Sequence, residues 1–180
     1  MEIIPTEIPD VCIIKPMVFT DDRGYFFESY NHDKFLASAL DLNFIQDNES
    51  RSMKGVLRGL HFQQHPSAQG KLVRVMRGAV LDVAVDIRRK SPTYGKWVSI
   101  VLTGDNKYMY WIPEGFAHGF LTLEDDTVFF YKCTNVYNKA SEGSIRWNDP
   151  DLNINWGTEN PILSDKDKIA PLFKDLNTSF

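Results

Sequence analysis

Residues 71–87 read Lys71-Leu72-Val73-Arg74-Val75-Met76-Arg77-Gly78-Ala79-Val80-Leu81-Asp82-Val83-Ala84-Val85-Asp86-Ile87. The two valine-rich runs on either side of Arg77-Gly78 are typical of β-strands joined by a tight turn. Because side chains alternate along a strand, Lys71, Val73 and Val75 share one face of the first strand. Polar residues that interrupt such an apolar row are candidates for a functional site, since burying them is costly.

Strand-like runs of the same kind occupy most of the chain. They are predicted at Val11–Phe19, Tyr25–Tyr30, Phe44–Asn48, Val56–Gln63, Lys71–Arg77, Ala79–Ile87, Lys96–Leu102, Tyr108–Ile112, Gly119–Leu123 and Val128–Val136. One helix is predicted after an N-cap at Asn31, because Phe35, Leu36, Ala39 and Leu40 fall on one face at helical spacing. A second short helix begins at Ser164 and stops before Pro171. Short strands with regular turns favour an all-β sandwich or barrel of the jelly-roll type, with a few short helices and its ligand in the mouth between the sheets. We expect one domain over residues 1–180, with the core at about 9–140 and a C-terminal extension at about 141–180.

The composition argues against several classes of partner. The net charge is −4, with 43% hydrophobic and 24% charged residues, which is ordinary for a globular protein. Nucleic-acid and membrane-surface binders rely on clustered cations, so we expect neither partner. A signal peptide and a run of ~18 apolar residues are both missing, which predicts a cytoplasmic protein. Cys12 and Cys133 lie in apolar runs and are predicted to be buried, reduced thiols.

His61 lies within the apolar run Val56–Gln63. Strict alternation predicts two faces for this strand, which carry Arg58, Leu60 and Phe62 on one side and Gly59, His61 and Gln63 on the other. A lone histidine in such a run is more often a satisfied core residue than a catalytic group. The alternative is a general base, because histidine titrates near neutral pH. Arg58, Gln63 and Lys71 are expected nearby, and a polar cluster in core sequence favours the functional alternative.

The segment Pro113-Glu114-Gly115-Phe116-Ala117-His118 fits the P-x-G-x-x-H part of the second cupin motif. In metal-binding cupins that histidine is a ligand, together with an H-x-H pair and a glutamate from the first motif. Here His61 is followed by Phe62 and Gln63, so the H-x-H pair is missing. We therefore expect no metal, because the number and spacing of ligands are wrong. His118 is then either a wall residue of the pocket or a support for a neighbouring group.

Three further polar residues have a structural and a functional interpretation. Tyr131 is either an aromatic packing residue or a proton donor. Asp167 is a solvated carboxylate at a helix start unless it reaches a histidine. Arg23, at a turn, is either simply exposed or binds a phosphate through two hydrogen bonds from its guanidinium group. The chain has no glycine-rich phosphate loop, so side chains such as Arg23 would have to hold any phosphate.

A set of segments spread along the chain carries a resemblance to a known family. They are Asp22-Arg23-Gly24 with Phe27-Glu28-Ser29-Tyr30, Gln46-Asp47-Asn48, Leu57–Gln63, Gly70–Val73, Trp111–Phe120, Tyr131-Lys132, and Leu163-Ser164 with Lys166-Asp167. From about Pro9 to Pro171 the chain resembles the dTDP-4-dehydrorhamnose 3,5-epimerases. The resemblance implies a metal-free, cupin-type jelly roll that forms a homodimer. It also implies an enzyme that converts dTDP-4-dehydro-6-deoxy-D-glucose to dTDP-4-dehydro-L-rhamnose through an enolate, with no cofactor.

The resemblance further implies roles for individual residues. His61 is the base, Asp167 its carboxylate partner and Tyr131 the acid on the opposite face of the sugar ring. Lys71 and Arg58 face the C4 oxygen and the neighbouring hydroxyls. The other implied substrate contacts, some from the partner subunit, are Arg23, Phe19, Glu28, Gln46, Asn48, His118, Tyr137 and Lys166. Such a set is needed because an enolate requires positive charge beside its oxygen, and inversion requires a proton carrier on each face.

Three alternatives stay open on the sequence. A monofunctional 3- or 5-epimerase, or a ketoisomerase, of a related nucleotide ketosugar would share almost every residue. A metal-dependent cupin is disfavoured by the missing H-x-H pair. A non-catalytic cupin is disfavoured by the polar residues in strand-like sequence. Tyr131 together with His61 and Asp167 favours epimerisation at both carbons.

Overall fold

The computed structural model describes residues 1–180 and consists mainly of β-strands. The strands are β1 (Glu2–Pro5), β2 (Cys12–Lys15), β3 (Phe19–Asp21), β4 (Gly24–Phe26), β5 (Gln46–Ser52), β6 (Leu57–Gln63), β7 (Lys71–Arg77), β8 (Ala79–Asp86), β9 (Trp97–Thr103), β10 (Met109–Ile112), β11 (Phe116–Thr122), β12 (Thr127–Cys133) and β13 (Glu142–Ser144). The α-helices are α1 (His32–Leu36) and α2 (Asp165–Lys168), and single 3-10 turns lie at Lys139–Ser141 and Phe173–Asp175. The two α-helices have 5 and 4 residues, too few to span a lipid bilayer.

Two antiparallel sheets face each other. The first has the strand order β1-β2-β10-β7-β12-β5 and the second β13-β6-β11-β8-β9, while β3 and β4 form a separate hairpin. The main core lies between the sheets, where Val73, Tyr110 and Phe129 of the first sheet and Ala84 and Phe120 of the second belong to one buried cluster. The predicted all-β sandwich with a few short helices is therefore confirmed.

The outer face of the second sheet is covered by the C-terminal extension. The C-terminal extension packs Leu152 and Trp156 against Leu60 and Val85 of the second sheet. Burying a large apolar side chain stabilises a fold by about 1.5–3 kcal/mol. The extension is thereby fixed to the sheet, and with it α2.

Strand β6 contains a bulge that separates the two candidate residues of its cavity face. In the pairing with β11, His118 lies opposite His61, but Phe120 lies opposite Arg58, so β6 accommodates one extra residue. Gly59 has a φ of 136° at this point, and a Cβ there would lie 2.4 Å from Gly119 Cα. Only glycine fits so close to the neighbouring backbone.

The face predicted for Arg58 by strict alternation was therefore wrong, whereas His61 and Gln63 line one cavity together, as predicted. Leu60 and Phe62 belong to the apolar cluster between the second sheet and the C-terminal extension. Arg58 and His61, predicted on opposite faces, both line the same cavity. The extra residue of the bulge reverses the alternation between them.

Some predicted boundaries also differ from the structure. The strand predicted at Tyr25–Tyr30 spans only Gly24–Phe26, and β5 begins at Gln46 rather than Phe44. The first helix ends at Leu36, before Ala39, whose φ is 63°. Asn31 is its N-cap, as predicted, and accepts a hydrogen bond from the backbone N–H of Lys34. Both cysteines are buried and free, as predicted.

Candidate functional site

A histidine–carboxylate pair joins the second sheet to the C-terminal extension. His61 Nε2 lies 2.5 Å from Asp167 Oδ1, and the Asp167 side chain is only 3% exposed. Ser164 caps α2 and donates from its hydroxyl to Asp167 Oδ2 at 2.9 Å. Burial alone would raise the pKa of Asp167, but the hydrogen bond and charge of His61, with the bond from Ser164, hold that pKa below its usual value. An ionised Asp167 accepts the Nε2–H of His61 and leaves Nδ1 as the basic nitrogen.

The pair borders a cavity of about 530 Å³ between the two sheets. Its polar lining comes from several elements and includes Arg58 and His61 of β6, Lys71 of β7, His118 of β11, Tyr131 of β12, and Lys166 and Asp167 of α2. The Arg58 guanidinium is anchored by a hydrogen bond from Nε to Ser52 Oγ at 3.2 Å. A cavity of this size with convergent polar groups is typical of a small-molecule site.

Lys71 and Tyr131 approach the cavity from neighbouring strands of the first sheet. In the register of β7 and β12, Lys71 lies opposite Cys133 and Val73 opposite Tyr131, so Lys71 and Tyr131 lie on the same face. Burial lowers the pKa of Lys71, although nearby acidic groups oppose the shift. Burial raises the pKa of Tyr131, so its phenol is protonated at neutral pH. The site thus contains an amine and a proton donor on the sheet opposite to His61.

A second histidine–carboxylate pair is buried in β11 and β8. His118 Nε2 lies 2.9 Å and 3.0 Å from the two carboxylate oxygens of Asp82. Burial raises the pKa of Asp82 and lowers that of His118, and the contact between them opposes both shifts. The His118 ring also stacks on Phe129, with 6.1 Å between ring centroids. These contacts hold His118 in the cavity wall.

A smaller polar cavity of about 360 Å³ adjoins the first. The side chains that line both cavities are Asn48, His61, Lys71 and Tyr131. Gln46 and Tyr137 line only the smaller cavity. The Tyr137 N–H donates to Gln46 Oε1 at 2.8 Å, and the Asn138 N–H donates to Gln63 Oε1 at 3.2 Å. These bonds position the half-exposed Tyr137 ring at the cavity rim.

The sequence predicted too few suitably spaced ligands for a metal ion, and the structure can be compared with that prediction. No group of three or more His, Cys, Asp or Glu side chains is arranged to hold a metal ion. His65 lies in a turn and His32 begins α1, so neither adds a ligand beside His61. The absence of a metal or other cofactor stays a prediction.

The family model for dTDP-4-dehydrorhamnose 3,5-epimerase matches residues 5–175 of this chain. The chain belongs to the dTDP-4-dehydrorhamnose 3,5-epimerase family. It is 56% identical over 174 residues to the dTDP-4-dehydrorhamnose 3,5-epimerase of Salmonella typhimurium, covering 96% of this chain and 95% of the relative. It is 55% identical over 176 residues to that of Shigella flexneri, covering 97% of each.

A solved structure agrees with this assignment. It is the crystal structure of dTDP-6-deoxy-D-glucose-3,5-epimerase from Legionella pneumophila in complex with dTDP-4-keto-L-rhamnose. The two chains share 48% identity and superimpose with a TM-score of 0.94, covering 98% of this chain and 94% of the other. The predicted epimerase class and the cupin-type jelly roll are thereby confirmed, and the non-catalytic and metal-dependent cupins are disfavoured.

Three residues predicted to contact substrate lie away from the cavity within one chain of the epimerase. Phe19 and Arg23 belong to the β3–β4 hairpin, where the Arg23 side chain is 90% exposed and pairs with Asp21. Glu28 pairs with Lys34 of α1. The chain alone does not bring these residues to His61. Their contact with a nucleotide in the partner subunit stays a prediction.

Two side chains that contact the epimerase site were not predicted. Asp82 interrupts an apolar strand, and this signal could have identified it. Glu142 forms an ion pair with Lys166, which is 24 residues further along the chain. Local sequence carries no signal for such a contact, because it depends on how the extension packs against the sheet.

Proposed function

We propose that this epimerase converts dTDP-4-dehydro-6-deoxy-D-glucose to dTDP-4-dehydro-L-rhamnose, with His61 as the base that removes the protons at C3 and C5. The observation that carries the proposal is the 2.5 Å contact of His61 with the buried Asp167, beside a cavity that Lys71 and Tyr131 also line. The relative from Legionella pneumophila in complex with dTDP-4-keto-L-rhamnose supports this class of substrate.

The first step of the proposed reaction is proton removal next to the C4 ketone. His61 accepts the proton on Nδ1, and the electron pair of the broken C–H bond forms a carbon–carbon double bond to C4. The former carbonyl electron pair moves onto the C4 oxygen, which becomes an enolate. Lys71, assisted by Arg58, stabilises this negative charge, and such stabilisation is usually the largest contribution to catalysis of this kind.

The second step is protonation from the opposite face of the sugar ring. Tyr131 gives its phenolic proton to the same carbon, the ketone re-forms, and the stereocentre is inverted. His61 then loses its extra proton to solvent and Tyr131 regains one. Because C3 and C5 flank the same carbonyl, Lys71 serves both inversions. Each proton carrier contributes about 10²–10⁴-fold to the rate.

The nucleotide part of the proposed substrate occupies the smaller cavity and its rim. We assign Gln46, Asn48 and Tyr137 to the nucleoside, and Lys166 to the diphosphate. His118 forms part of the sugar-binding wall. Arg23, Phe19 and Glu28 of the partner subunit complete the site, so the active form is a homodimer.

The remaining proposals concern organisation. Residues 1–180 act as a single domain, with a core at about 9–140 and an extension at about 141–180, because the extension supplies Asp167 to the site. The enzyme works in the cytoplasm without a metal or cofactor, and without a nucleic-acid or membrane partner. Its net charge of −4 supports the last point.

Deuterium incorporation tests the proposal. The protein is incubated with dTDP-4-dehydro-6-deoxy-D-glucose in heavy water, and the sugar is analysed by NMR and mass spectrometry. We expect deuterium at both C3 and C5, with the L-rhamnose configuration trapped by a reductase. Label at one carbon would identify a monofunctional epimerase, and no label would refute the proposed substrate.

A further inference from the structure

Glu142 lies between two groups that the proposed function assigns to the nucleotide. It begins β13, the edge strand that pairs with β6, where it lies opposite Gln63. One carboxylate oxygen forms an ion pair with the ammonium group of Lys166. The other accepts a hydrogen bond of 3.4 Å from the Tyr137 hydroxyl. A single carboxylate thus contacts both the cation and the aromatic ring at the rim.

The ion pair connects the two cavities. Lys166 lines the larger cavity, and Glu142 lines the smaller one. The side chains are 46% and 26% exposed, so both groups can be reached by a ligand. An ion pair between two partly exposed groups is weak, and a ligand with stronger charge can displace it.

Two acceptors therefore compete for one ammonium group. A diphosphate carries more negative charge than one carboxylate, so it can replace Glu142 beside Lys166. Inorganic pyrophosphate has no aromatic base to place against the Tyr137 ring. A nucleotide also contacts the Tyr137 ring, whose hydroxyl donates to Glu142. Glu142 therefore opposes the diphosphate at Lys166 but helps to hold Tyr137 for the nucleoside.

We propose that Glu142 is a specificity-determining residue, which competes with the diphosphate for Lys166, holds Tyr137 for the nucleoside and so favours nucleotides over free pyrophosphate. This role rests on the proposed function, because it assumes that a diphosphate reaches Lys166. Glu142 acts through Lys166 and Tyr137 and takes no part in proton transfer.

A double-mutant cycle with inorganic pyrophosphate tests the proposal. Binding is measured by calorimetry at an ionic strength of about 0.05 M, where surface charges are weakly screened. The proteins are the wild type, Glu142→Gln, Lys166→Met and the double variant. We expect Glu142→Gln to bind pyrophosphate roughly two- to fivefold more tightly than the wild type, with a smaller gain for dTDP. In the Lys166→Met background the gain should disappear.

Asp165→Asn is the matched control. It removes one negative charge next to Lys166, but the Asp165 side chain is 99% exposed and pairs with Lys168 instead. We expect a smaller gain in pyrophosphate affinity from this control than from Glu142→Gln. Thermal unfolding verifies that each variant is folded, and Glu142→Ala replaces Glu142→Gln if the latter is not.

Three results would overturn the role of Glu142. They are an unchanged affinity in Glu142→Gln, a gain that persists without Lys166, and an equal gain in Asp165→Asn. None of these measurements requires turnover. A failed cycle with an active wild type refutes only the role of Glu142, whereas a wild type that exchanges no deuterium refutes the proposed function.

Discussion

The exchange Asp167→Asn removes one charge from the centre of the site and preserves the shape of the side chain. In the wild type the ionised carboxylate accepts from His61 at 2.5 Å and from Ser164 at 2.9 Å. Asparagine can still accept one of these bonds. It cannot offer a negative charge to the imidazolium that forms when His61 takes the substrate proton.

The size of the effect follows from this lost charge. With about 4 Å between charge centres and an effective dielectric constant of about 20, the attraction contributes about 4 kcal/mol. Since about 1.4 kcal/mol corresponds to a factor of ten, the rate of proton removal should fall about 10³-fold. This value lies within the range of roughly 10²–10⁴-fold for the loss of a general base.

The assay is the initial rate of deuterium incorporation at C3 and C5. The control is Asp165→Asn, the same exchange in the same helix at a side chain that is 99% exposed. We expect the control to match the wild type, and both variants to remain folded in thermal unfolding. A rate for Asp167→Asn within about threefold of the wild type would refute the claim that the charge of Asp167 supports His61 as the base.

The same variant should also change how the free energy of unfolding depends on pH in acid. The pKa of Asp167 is held below its ordinary value of 3.8, so its contribution to stability is fully present above that pH. The contribution is lost as the pH falls through the lowered pKa. The difference in free energy of unfolding between wild type and Asp167→Asn should therefore shrink below pH 3.8, as denaturant titrations would measure.

Three further predictions test other parts of the site. Tyr131→Phe should impair inversion more than deuterium exchange, because His61 still removes the proton. NMR measures both rates, and equal losses would contradict the role of Tyr131 as the acid. Lys71→Met should suppress exchange at both carbons, and normal exchange in this variant would show that Lys71 does not stabilise the enolate. In the wild type, the alkaline limb of kcat/KM should lie below pH 10.5, because burial lowers the pKa of Lys71. Gly59→Ala should disrupt the bulge of β6, since the new Cβ would lie 2.4 Å from Gly119 Cα. A Gly59→Ala protein with normal Tm and activity would show that the bulge is dispensable.

Local features of the fold were predictable from the sequence. The strand Lys71–Arg77 has the predicted bounds, because alternation and a turn at Gly78 are properties of neighbouring residues. The N-cap at Asn31 was predicted for the same reason. His61 and Lys71 were identified as candidates because polar groups in apolar strands are costly unless they are used.

Strand periodicity, helix caps and the short list of polar residues within apolar runs could therefore be predicted from local sequence. Which of these residues meet depends on how distant segments pack together. His61 and Asp167 are 106 residues apart, and they come together because the extension packs on the outer face of the second sheet. The bulge at Gly59 brings Arg58 to the same cavity, and glycine is needed there because the Gly119 backbone of a distant strand lies so close. The contact of Glu142 with Lys166 has the same origin, since pairing between distant segments depends on sheet order and docking rather than on neighbours in the chain.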